Sequence, residues 1–113
     1  MSVARSVFTG LLLVSMVMFL VPADDLSPNA PNDKVTHLLI FAVLALSGRW
    51  AGVPVLPLLV GLTAYAAATE LLQGLLPINR HADPRDVVAD VAGVLFGLAV
   101  SWALAQRRSR APG

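Results

Sequence analysis

Apolar residues along this chain fall in long runs broken by short polar stretches, not in the three- and four-residue rhythm of an amphipathic helix. Four runs can be drawn, over about residues 6–22, 34–51, 55–76 and 85–106. A helix needs about 20 mostly apolar residues to cross a bilayer. The predicted fold is therefore all-α, an integral membrane bundle of four transmembrane helices with short loops, and a single domain over residues 1–113.

Prolines and glycines punctuate the runs. Pro22, Pro28 and Pro31 forbid a helix between the first two. Asn32 or Asp33 can cap the second, and Gly48 is its expected stop, followed by the turn Ala51-Gly52-Val53-Pro54. Pro54 and Pro57 suit the start of the third, which Pro77 ends. Asp83 is the expected N-cap of the fourth, with Pro84 at its first helical position. The first run has a second reading: Arg5, an apolar core and the small-residue end Val21-Pro22-Ala23 also resemble a cleavable secretory signal peptide.

Composition agrees with a membrane protein. The 113 residues are 57% hydrophobic and 13% charged, against roughly 25% charged in a soluble domain. A net charge of +1 gives no field that would point to nucleic acid. Without cysteine there is no disulfide, thiolate metal site or cysteine nucleophile. Lys and Arg counts orient the spans. One side would hold Arg5, Arg49, Arg107, Arg108 and Arg110, and the other Lys34, Arg80 and Arg85. Both termini are then expected in the cytoplasm, with Trp50 and Trp102 at the inner interface.

The polar residues that interrupt the runs carry the candidate chemistry. Asp33, Lys34, His37, Glu70, Gln73, Arg80, Asp86 and Asp90 come from separate segments, yet this topology places all of them at or just below the outer surface. An ionisable group at membrane depth costs roughly 2.5–3.5 kcal/mol on insertion scales, so Glu70 needs a partner or a purpose. Its nearest expected cations are Lys34 and Arg80. Asp86, Asp90, Gly93 and Gly97 form one stripe of one helix. The two glycines are expected to let the fourth helix lie close to the alanine-rich middle of the third, Ala64 to Ala68.

The motifs Asp33-Lys34-x-x-His37, Glu70-x-x-Gln73, Arg80, Asp86 and Gly93, taken in order, resemble the VanZ-like family, which is named after a small membrane protein associated with teicoplanin resistance. The similarity runs from Asp33 to Gly97. Asp90 stands where Asn is expected, and His81-Ala82-Asp83 where small or hydroxyl residues are more usual. The resemblance implies a multi-span protein of the bacterial cell envelope, in the plasma membrane.

Three functions remain open on these residues. Lys34 and Arg80 can hold the phosphate or carboxylate of an anionic envelope lipid or peptidoglycan precursor, and the family resemblance implies an effect on glycopeptide sensitivity. Alternatively, His37, Glu70, Asp86 and Asp90 can serve as a general base or as ligands of a divalent metal, in a metal-assisted membrane hydrolase or transferase. Third, the set can hold helices together in a structural helper of a partner membrane protein. The chain has no nucleophile elbow, paired-histidine zinc motif or phosphate loop, so the sequence favours binding over catalysis and no cofactor is expected.

Overall fold

The computed structural model describes residues 2–21, 33–78 and 82–110. Four helices appear in chain order: α1 (Val3–Leu20), α2 (Asp33–Trp50), α3 (Val55–Leu75) and α4 (Pro84–Arg110). There is no strand among the described residues. Three helices, α1, α3 and α4, are long and apolar enough to cross a membrane. Helix α2 has 18 residues and carries Asp33, Lys34 and Arg49 at its ends.

Helix α2 lies at the centre of the packing. It touches α1, α3 and α4, whereas α1 and α4 do not touch each other. Phe41, Ala42, Leu44 and Ala45 of α2 are buried and join Phe19, Leu58, Leu62, Ala66 and Val94 in the core. Only one face of α2 is left outward, with Val35, Leu39 and Val43 exposed. The outward surface is apolar on its neighbours as well: Leu13 and Val17 of α1, Leu56 and Leu71 of α3, and Val88 and Phe96 of α4 are all exposed. Apolar residues spread over the outer face of a bundle fit a lipid environment.

Local chemistry sets three of the helix ends. Ser2 caps α1 by accepting the Arg5 N–H at 3.1 Å. The Asp83 carboxylate accepts the Arg85 N–H at 2.9 Å, so the cap expected from sequence is in place. The stop of α2 differs from expectation. The helix continues through Gly48, ends at Trp50 and is closed by Gly52, whose φ is +90°. There the Gly52 N–H reaches Arg49 O and the Val53 N–H reaches Gly48 O, a glycine C-cap pattern. Gly48 serves packing: a Cβ there would meet Leu58 Cδ1 at 2.6 Å.

The glycine stripe also differs. Gly93 and Gly97 are buried against α2, not α3. A Cβ on Gly93 would collide with the Leu38 carbonyl oxygen, and one on Gly97 with the Ala42 carbonyl oxygen and, at 2.8 Å, the Ala45 Cβ. The alanines of α2, not those of α3, complete this crossing. In lipid, where burial of apolar area gives little drive between helices, such backbone approach and polar contacts hold the bundle.

Candidate functional site

The C-terminal ends of α1 and α3 meet the N-terminal ends of α2 and α4 at one end of the bundle. His37 lies four residues into α2 and Asp90 six residues into α4, about 6 and 9 Å along their axes. Glu70 lies five residues before the end of α3, about 7.5 Å deep. All three are buried, as are Asp86 and Gln73.

The contacts join all four helices. His37 Nδ1 is 2.5 Å from Asp90 Oδ1. When Asp90 is ionised its carboxylate only accepts, so Nδ1 is the donor, and in the neutral ring the lone pair is then on Nε2. Nε2 lies 4.0 Å from Asp86 Oδ2. Asp86 Oδ1 in turn accepts from Lys34 Nζ at 2.7 Å, and Lys34 also donates to Asp83 Oδ2 at 3.1 Å. Lys34 is 40% exposed and stands at the mouth of the cluster. Asp83 lies outside the helices. The Arg85 N–H and then Lys34 hold its carboxyl below its ordinary value of 3.8.

Glu70 does not pair with Lys34. Its Oε1 accepts the backbone N–H of Asp83, while Oε2 is buried with no hydrogen-bond partner among the described residues. Both groups reach the start of α4, but the Lys34 ammonium is taken up by the Asp83 and Asp86 carboxylates and Glu70 by the backbone of Asp83. Gln73, on the same face, donates from Nε2 to the Phe19 carbonyl at 2.8 Å and so ties the last turn of α1 to α3. The Phe19 ring stacks on His37, with centroids 4.7 Å apart and planes at 21°.

Of the residues expected from sequence, Lys34, His37, Glu70, Gln73, Asp86 and Asp90 come together here. Asp33 opens α2, and Arg80 lies outside the described residues. Two members were missed. Phe19 sits in an apolar run with nothing to single it out. Asp83 was read only as a cap, though its position beside Asp86 was a usable signal.

Among known proteins, no family model, curated protein or solved structure matches the chain, so the family resemblance rests on its motifs alone.

Proposed function

We propose that the chain is a four-span protein of the bacterial plasma membrane, similar to the VanZ-like family, with both termini in the cytoplasm. Its polar cluster at the outer face binds the anionic head group of an envelope lipid or peptidoglycan precursor, and thereby influences glycopeptide sensitivity.

The observation that carries this reading is the convergence of buried ionisable side chains at one end of an apolar bundle, with the half-exposed Lys34 ammonium at their opening. A charge at membrane depth is expensive, and such residues mark ligand or ion pathways. Structural pairing alone accounts poorly for Glu70, since one of its buried oxygens has no partner among the described residues. Helix α1 contributes Phe19 directly above His37, which favours its retention as a span over its removal as a leader.

The test is complementation of a deletion strain, normalised to protein level in the membrane, with Glu70→Gln, His37→Ala, Arg80→Lys and Asp86→Asn. Normal abundance with unrestored teicoplanin sensitivity is expected for each. Full complementation by all four would leave only a structural role.

A further inference from the structure

Carboxylates outnumber cations in this site. Among the described residues, Glu70, Asp83, Asp86 and Asp90 face one ammonium, Lys34, one imidazole, His37, and the exposed Arg85 guanidinium, which lies 3.6 Å from Asp83 at the edge of the cluster. Such a cluster repels an anion unless a further positive charge lies within it. Lys34 is already bonded to Asp83 and Asp86.

We propose that His37, Glu70 and Asp86 bind one divalent transition cation of the Zn²⁺ or Mn²⁺ type. This assignment departs from the absence of a cofactor expected from sequence. It deepens the head-group reading and rests on it only in making the ion the point at which an anionic group would enter.

One ligand atom from each of the three residues lies within 4.8 Å of the other two. With metal–ligand bonds of roughly 2.0–2.6 Å, donors around one ion stand at most about 5 Å apart. Each of the three is also held from behind. Asp90 accepts from His37 Nδ1 and leaves Nε2 as the ligand atom on the side of Asp86 Oδ2. A metal-bound imidazole usually donates its other ring N–H to a carboxylate in this way, which fixes the tautomer and the ring orientation. Lys34 holds Asp86 Oδ1, and the Asp83 N–H holds Glu70 Oε1.

An independent observation comes from Glu70 itself. The residue is 95% buried, at 5% exposure, and its Oε2 has no hydrogen-bond partner among the described residues. Buried charges are paired or coordinate metals, and a carboxylate oxygen left with neither is costly. Two carboxylates and one imidazole form a mixed oxygen and nitrogen donor set, suited to zinc or manganese more than to an all-oxygen calcium cage. Three protein ligands leave coordination positions open for water or a phosphate oxygen.

The experiment uses the full chain in detergent. Titration with Mn²⁺ followed by electron paramagnetic resonance should show one saturable site, with echo modulation from a histidine nitrogen. Zn²⁺ should compete for it. Glu70→Gln, which keeps size and a hydrogen-bonding oxygen, should weaken Mn²⁺ binding by at least about 10-fold, and Asp90→Asn by roughly 10–100-fold through the imidazole it orients. Ser15→Ala, in the core but away from the cluster, should bind like the wild type. No saturable site on the wild-type chain, or a site without nitrogen modulation, overturns the proposal whatever the variants do.

Native mass spectrometry with added short-chain phosphatidic acid separates this proposal from the head-group reading. Lipid retained with Zn²⁺ and lost with EDTA supports both. Metal bound without lipid keeps this site and removes the head-group reading. Lipid retained equally in EDTA, on protein that binds no metal, overturns the metal site alone.

Discussion

His37 of α2 and Asp90 of α4 are 53 residues apart in sequence and share a 2.5 Å hydrogen bond, with side-chain exposures of 1% and 0%. Neither can be removed without leaving the other buried in a site built for a pair. Breaking such a pair from one side costs roughly 3–5 kcal/mol, much of it the penalty on the residue left behind. In a double-mutant cycle, His37→Ala and Asp90→Ala should therefore couple by about 1.5–3 kcal/mol, as hydrogen bonds to charged groups do. Unfolding in mixed detergent measures this. Additive single losses would mean that the two side chains do not depend on each other.

The glycines offer a contrast within one protein. Gly93→Ala places a methyl against the Leu38 carbonyl, and backbone cannot step aside as a side-chain tip can. It should lower stability by about 1–3 kcal/mol through overpacking. Gly61→Ala in α3 meets nothing within 4 Å. That change should be neutral or stabilise by up to about 1 kcal/mol, the usual difference between the two residues inside a helix. Thermal melting in detergent compares them. Equal melting temperatures for the two variants would contradict the close α2–α4 crossing.

Acid should act on the cap of α4. The folded-state pKa of Asp83 lies below its ordinary value, so its ionised form is favoured by folding. The stability it adds is fully present above the unfolded pKa, near 3.8, and is lost as pH falls through the lower folded value. Between about pH 5 and pH 2 the wild-type melting temperature should fall more steeply than that of Asp83→Asn. Its exposure keeps the difference small and reducible by salt. Parallel curves would show that capping and the Lys34 contact contribute nothing to folding.

The absence of cysteine makes the topology directly testable. Ala82→Cys, beside the site, and Ser109→Cys, at the end of α4, lie on exposed residues at opposite ends of that helix. An impermeant maleimide should label the first in intact cells and the second only after permeabilisation. The reverse pattern would invert the orientation inferred from the Lys and Arg count. Labelling of both from outside would show that α4 does not cross.

The sequence made some of this legible and hid the rest for identifiable reasons. Four helical segments were readable because proline and capping residues mark their ends, as Asp83-Pro84 does for α4. The clustering of His37, Glu70, Asp86 and Asp90 was readable because each lies within about two turns of a helix end, so an up-and-down topology alone sets their depth. What depth cannot set is rotation about each helix axis. The choice of α2 over α3 as the partner of Gly93 and Gly97 was hidden for that reason, as was the choice of Asp86 and Asp83 over Glu70 as partners of Lys34. Phe19 was hidden because a ring that stacks on histidine and one that faces lipid have the same sequence context.

The length of α4 has a consequence for how the protein would sit in bilayers of different thickness. Its 27 residues extend about 40 Å, against a hydrocarbon layer of about 30 Å. The N-terminal end is tied to α2 by Lys34 and by the pair with His37, so it cannot slide past that helix. In the proposed topology, with the polar cluster at the outer surface, a surplus of about 10 Å would emerge at the other end, where Arg107 and Arg108 are exposed. Hydrophobic mismatch would be absorbed there, by arginines moving among lipid head groups, while the depth of His37 and Glu70 below the opposite surface stayed constant.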